Sequence, residues 1–212
     1  MKLSNRLRAC ADFVRQGSRL ADIGCDHGFI PVYLCEAGKI KSAVASDINE
    51  GPLNSCRALV NEKGLESRIF CVLSNGLEKI NLDMVDDILI AGMGGILIYE
   101  ILEKCHSEKL YEKHLILNPM THPEEARRFL FENGFEIEND IIVADSNHHY
   151  NIFDAYFTGE KKPYSESDCW LGKISDFSDK EYFIHLIKYL KNKEKGGENH
   201  KELIAEIEEK IK

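Results

Sequence analysis

The sequence has no Cys-x-x-Cys pair, although it holds seven cysteines, at positions 10, 25, 35, 56, 71, 105 and 169. An odd number of cysteines without ligand spacing argues against a disulfide framework and against a cysteine-based zinc site. They fall inside apolar stretches, where a reduced thiol behaves as a small hydrophobe, so a reducing, cytoplasmic setting is expected. Long apolar runs are lacking too. Stretches such as 88–90 and 115–117 fall far short of the ~20 residues of a membrane span. Residues 1–6 carry charge but no apolar segment of the kind a signal peptide needs. No G-x-G-x-x-G spacing occurs, which removes the usual cradle for a dinucleotide pyrophosphate. The pair His148-His149 has no third ligand at metal spacing, so no metal is expected. Positive charge is also scarce: the net charge of −9 argues against nucleic-acid binding by the surface as a whole. The distribution is uneven, however. Residues 1–20 carry Lys2, Arg6, Arg8, Arg15 and Arg19 against Asp12 alone, a patch that suits either RNA contact or a solvated helix face.

What is present is a rhythm. From residue 19 to about 117, short apolar strands alternate with amphipathic helices. Strands are expected at 19–23, 43–47, 68–73, 87–91 and 114–117, and helices at 29–37, 52–63, 95–105 and 123–133. Glycines at 38, 64 and 134 stop the helices. The strands are continuous apolar runs, as in a parallel sheet covered on both faces. Repeated strand–helix units imply right-handed crossovers and a doubly wound α/β fold. After Gly134 the rhythm changes: 135–143 and 150–157 read as two strands with no helix between them, an antiparallel hairpin on the sheet edge. Five such units followed by a hairpin is the strand plan of S-adenosylmethionine-dependent methyltransferases. The tail differs again. Tyr182, Phe183, Leu186, Ile187 and Leu190 form one helical stripe and Leu203, Ile204, Ile207 and Ile211 another, separated by Gly196-Gly197. The expected organisation is a catalytic domain over 1–160 with a basic N-terminal helix, then a small helical hairpin over 161–212. The hairpin is expected to dock substrate and to be dispensable for the sheet.

In an open α/β sheet, ligands bind beyond the carboxyl ends of the strands, where strand order reverses. Strand one runs into Asp22-Ile23-Gly24-Cys25-Asp26-His27-Gly28. Its glycines permit a tight turn and close backbone approach, and its carboxylates suit a ligand carrying an α-ammonium and a sulfonium. Strand two ends at Asp47, an acceptor for the two hydroxyls of an adenosine ribose, with Ile48 beside it. Strand three ends at Ser74-Asn75-Gly76, where the Asn75 amide can meet adenine. Strand four ends at Ala91-Gly92, small enough for cofactor and substrate to lie against the backbone. Strand five ends at Asn118-Pro119-Met120. An N-P-P-[YF] motif would belong after strand four, so Asn118-Pro119 is not equated with it.

Together, L-S-N-R-L at 3–7, D-I-G-C-D-H-G-F-I-P at 22–31, E-G-P at 50–52, N-G-L at 75–77 and I-A-G-M-G-G at 90–95 resemble the bacterial tRNA (adenine(22)-N1)-methyltransferases along nearly the whole chain. The resemblance implies a Rossmann-like class I domain, a C-terminal coiled coil, S-adenosylmethionine as cofactor, and methyl transfer to N1 of an adenine in tRNA. It departs from the family at Ser74-Asn75, where Gly-Asp is usual, and at Asn118-Pro119-Met120, where Gln-Pro-Asn is usual. The expected cofactor contacts are Asp22, Gly24, Asp26, Asp47, Ile48, Asn75, Gly76, Ala91 and Gly92. Asp26, His27 and Asn118 are expected around the base. Arg6, Arg8 and Arg15, with Arg127 and Arg128, are expected on RNA phosphates. A protein or small-molecule methyltransferase and a non-catalytic RNA- or cofactor-binding module are the alternatives, and monomer or dimer stays open.

Overall fold

A computed structural model describes all 212 residues. The strands are β1 (Arg19–Ile23), β2 (Ser42–Asp47), β3 (Ile69–Leu73), β4 (Asp87–Met93), β5 (His114–Pro119), β6 (Phe135–Asp145) and β7 (His148–Phe157). They form one sheet in the order β3-β2-β1-β4-β5-β7-β6. The first five are parallel, and β7 is antiparallel to both β5 and β6. This is the mainly parallel, doubly wound sheet expected, with Rossmann-like class I connectivity.

Period-two alternation sorts the buried side chains onto two faces. Ile88 and Ile90 of β4, with Leu115 and Leu117 of β5, pack beneath α4 (Gly95–Glu103) and α5 (Pro123–Glu132). The residues between them, Leu89 and Ile116, point the other way. With Leu20 they meet α1 (Asn5–Phe13), α2 (Phe29–Glu36) and α3 (Glu50–Glu62). Each such fully buried Leu or Ile contributes roughly 1.5–3 kcal/mol.

The hairpin strands are longer than expected. Residues 144–149 are mostly paired, and the turn shrinks to Ser146-Asn147, with Ser146 at φ 57°. The tail holds three helices, not two: α6 (Glu166–Leu171), α7 (Lys180–Lys195) and α8 (Lys201–Lys210). The short α6 lacks the length for a periodic stripe, but Ser165 and Asp168 close a capping box at its start. Trp170, Phe183, Ile187, Leu190, Leu203 and Ile207 give the tail its own small core. No helix is long and apolar enough to cross a membrane. All seven cysteines are free.

The tail is also hydrogen-bonded to the body of the sheet domain. Arg127 of α5 is fully buried and bonds both oxygens of Asp140 in β6 at 2.9 Å. It also donates to Asn151 Oδ1 and to the carbonyls of Cys169 and Trp170 in α6. A planar guanidinium with five donors is suited to such a hub. Arg127 therefore presents nothing to an RNA phosphate, which corrects that assignment.

Candidate active site

The order of the sheet reverses at β1, which lies between β2 and β4, and the candidate site opens at the carboxyl ends of these strands. A cavity of about 320 Å³ lies there, walled by Asp22, Gly24, Asp26, Phe29, Gly92 and Met120, with Arg6 reaching in from α1. The loop after β1 is pinned by the Ser46 carbonyl, which accepts from the backbone N–H groups of both Gly24 and Cys25 at 2.8 Å. Gly24 has φ +74°, and a Cβ there would collide with the Met93 methyl. The loop apex, Asp26, also takes a positive φ of 50°, a conformation Asp tolerates better than most residues. On the other wall, the β4–β5 register shifts between Ala91 and Met93. The bulge leaves Gly92, at φ +80°, unpaired and facing the cavity.

Asp22 is the electrostatic centre. It is 4 % exposed, and neither carboxylate oxygen makes a hydrogen bond within the chain. Burial, then the neighbouring Asp47 charge, pushes its pKa up to about 7. A buried acid without a partner is a site for a cation. Asp47 ends β2; its Oδ1 accepts from the Asn49 N–H at 2.8 Å, and no hydrogen bond within the chain occupies Oδ2. Ile48 beside it is 61 % exposed, an apolar platform at the strand end. In the next loop, buried Ser74 accepts from the Lys79 N–H and donates to the Gly76 carbonyl. Asn75 stays exposed, with Nδ2 donating to Glu78. The strand ends therefore offer, in order across the sheet, an amide, a ribose-type acceptor, a cation acceptor and a bare backbone.

The expected base-side residues separate. Asp26 lines the cavity. His27 sits at the rim, stacked on Phe29 at 5.3 Å with Nε2 3.6 Å from Asp26. Asn118 is fully buried and is not a wall of the cavity. Its Oδ1 accepts from Arg6 Nη1 at 2.7 Å and its Nδ2 donates to the Asn151 carbonyl at 2.9 Å. Both ends of the carboxamide are thus held, and the side chain lies behind Arg6 instead of in the base pocket, which corrects that assignment: Asn118 positions Arg6. Met120 and Phe29, both about 41 % exposed, supply apolar wall that the sequence reading did not include.

The N-terminal arginines do not form a free basic face. Arg6 points inward, its guanidinium 5.4 Å from the Tyr150 ring centroid and its backbone N–H held by Asp145. Arg15 lies at the opposite end of the sheet, bound to Asp87, the first residue of β4, at 2.7 Å. Arg8 is exposed and paired with Asp12 at 3.1 Å. Arg128 bridges Glu166 at 3.1 Å and Glu125 at 3.4 Å. An RNA reading cannot rest on buried Arg127; Arg15, half exposed but paired with Asp87, lies far from the cavity, and Arg6 belongs to the cavity.

Residues 3–153 match the methyltransferase-domain family. The tRNA (adenine(22)-N(1))-methyltransferase of Bacillus subtilis strain 168 is 35 % identical over 155 residues, covering 73 % of this chain and 65 % of that enzyme. That alignment spans just under two thirds of the relative's length. The crystal structure of the B. subtilis m1A22 tRNA methyltransferase superposes with a TM-score of 0.83 at 27 % identity, covering 99 % of this chain and 96 % of that one. Streptococcus pneumoniae Sp1610, solved in complex with S-adenosyl-L-methionine, gives 0.81 at 33 % identity with all of both chains covered.

Proposed function

Because this chain belongs to the tRNA (adenine(22)-N1)-methyltransferase family, we propose that it transfers a methyl group from S-adenosylmethionine to N1 of adenine 22 in tRNA. The observation that carries the reading is Asp22: a buried carboxylate, free of partners and held near neutrality, at the strand end where a cationic amino-acid moiety fits. The bound cofactor supplies an electrophilic methyl carbon on a sulfonium. Asp22 would hold the ammonium. Asp47 would take the ribose hydroxyls through Oδ2, and Ile48 and Asn75 would pack and hydrogen-bond the adenine ring.

The chain's remaining task is positional. Adenine N1 is already a nucleophile, so it needs to be aimed in line with water excluded, not deprotonated. The exposed Gly92 backbone lets a flat base come close, and Met120 and Phe29 give it apolar walls. Bond formation at N1 places positive charge on the base until an N6 proton leaves. Asp26, at the mouth of the cavity, is the carboxylate that would favour that charge and pass the proton to solvent. The target base must leave its stack to enter. The reducing setting inferred from seven free cysteines fits a cytoplasmic enzyme. The test is incubation with labelled S-adenosylmethionine and unfractionated bacterial tRNA, followed by nucleoside mapping. Label in 1-methyladenosine at position 22 supports the reading; label only in protein or small molecules overturns it.

A further inference from the structure

With Arg127 buried, Arg6 turned into the first cavity and Arg15 paired with Asp87 at the far end of the sheet, recognition of RNA lacks an assigned surface near the site. A second cavity, of about 480 Å³, lies between the loop that follows β5 and the tail helices. It shares no lining residue with the methyl-transfer cavity, but the two lie close at two points. Met120 walls the first cavity and its neighbour Thr121 walls the second. Arg6 lies over Tyr150, whose ring is 6.3 Å from that of His148, a wall of the second cavity.

The lining is unusual for an acidic chain. Four of its eight histidines, His122, His148, His149 and His185, converge here from the β5 loop, the start of β7 and α7. Trp170 and Tyr189 close the tail side with ring centroids 6.0 Å apart, and Tyr189 is 43 % exposed. The Lys193 ammonium lies 5.7 Å from the Tyr189 centroid, and Lys188 stands exposed on the same helix. Aromatic and imidazole faces with nearby cations are the surfaces on which unstacked bases of RNA lie.

Two polar groups in this lining are buried without partners. Glu124 is 3 % exposed; its Oε1 meets His122 Nδ1 at 3.0 Å, while Oε2 has no hydrogen-bond partner. Trp170 is 4 % exposed and its indole N–H is likewise unpartnered. One acceptor and one donor, both unsatisfied, are costly unless something brings the complementary pair. The polar edge of a nucleobase carries both kinds of group.

We propose that this groove binds one unstacked nucleotide of the tRNA, separate from the adenine that is methylated. Its base lies against Tyr189 and His185, and its edge faces Glu124 and Trp170. The inference rests on tRNA being the substrate. It explains how an acidic protein holds RNA without a basic face: stacking on imidazole and phenol rings supplies what arginine clusters supply elsewhere. It also gives the tail a task at the site, since α6 and α7 form one wall of the groove.

The test uses the full-length protein and unfractionated bacterial tRNA. Both Tyr189 and His185 are exposed, so their replacement leaves the tail core intact. The double variant Tyr189→Ala, His185→Ala is expected to bind tRNA about tenfold or more weakly and to raise KM for tRNA by a similar factor. Melting temperature and S-adenosylmethionine affinity should stay at wild-type values. Tyr189→Phe, which keeps the ring, should restore binding when His185 is intact. Wild-type tRNA affinity and KM in the double variant would overturn the groove assignment and leave the methyltransferase reading standing. A wild-type protein that neither binds nor methylates tRNA overturns both.

Discussion

Cofactor affinity should depend on pH through Asp22, in a direction and size that follow from its surroundings. In the unliganded protein, burial and the Asp47 charge raise this acid from 3.8 to about 7. A bound ammonium needs the ionised form. Below neutrality, binding must therefore expel a proton, and apparent affinity should fall about tenfold per pH unit, roughly tenfold at pH 6 and a hundredfold at pH 5 relative to pH 8. Asp22→Asn removes both the charge and the titration. It should bind roughly 10–100-fold more weakly than wild type at pH 8, the equivalent of one charge-assisted hydrogen bond, and its affinity should be flat across the range. A second consequence concerns stability. An acid whose folded value is raised favours the folded state fully only below its unfolded value, and that contribution is lost as pH rises from about 3.8 to about 7. At pH 8 the unliganded protein therefore carries a cost of roughly 4 kcal/mol at this residue, by about 1.36 kcal/mol per unit. Asp22→Asn should accordingly raise the melting temperature of the unliganded protein while weakening the cofactor, a trade typical of a binding site. Calorimetric titration from pH 8 to pH 5.5, with a thermal scan of both proteins, measures all of this. A wild-type affinity that stays flat with pH, or an Asn variant that keeps the wild-type slope, would refute the reasoning.

Asp47→Ala should weaken S-adenosylmethionine binding at least about tenfold with circular dichroism unchanged, because it removes the ribose acceptor; unchanged affinity in calorimetry removes Asp47 from the site. Arg6→Ala should lower stability by about 1–3 kcal/mol in urea, since it strands the buried Asn118 carbonyl, and should reduce cofactor binding or turnover; a variant impaired only in tRNA binding would return Arg6 to the RNA face. Burial lowers the pKa of His114, but the Asp154 oxygen at 3.1 Å and Asp87 outweigh it and raise the pKa to about 9. Its stabilisation is complete below about 6.5 and is lost as pH rises through about 9, so the urea midpoint should drop between pH 7 and pH 9.5, and the drop should shrink in His114→Gln. A chain ended after Tyr164 would strip Arg127 of the Cys169 and Trp170 carbonyls and Asn151 of the Tyr182 hydroxyl. It should aggregate or melt at least several degrees lower, and a truncated chain with wild-type melting temperature would mean the hub closes without the tail.

How much of this was readable in the residues depends on what kind of information each feature needs. The strand that positions the site was readable to the residue: 19–23 was expected and β1 is Arg19–Ile23. A continuous apolar run ending at glycine is a local signal, and the parallel order follows from chain-wide regularities of crossover connections. The location of Asp22, Asp47 and Gly92 at the carboxyl ends of their strands also followed from the strand pattern. The arginines did not, because charge composition says how many there are and not which acids they meet. Arg15 finds Asp87 72 residues later and Arg6 finds Asn118 112 residues later, pairings that exist only once α1 has crossed the sheet. Arg127 differs, since a usable signal was present. It stands three residues before Leu130 and one after Ala126, both fully buried, so helical phase alone places it on the inner face of α5 beside exposed-side Arg128. A cation on an apolar face demands an acid within reach, and Asp140 interrupts the apolar alternation of β6 at the point where its register shifts. Reading the two irregularities as a pair, instead of counting Arg127 with its neighbour as surface charge, would have located the hub. It would also have tied the tail to the sheet, because a guanidinium that saturates one carboxylate still has donors to place, and here the carbonyls of α6 accept them.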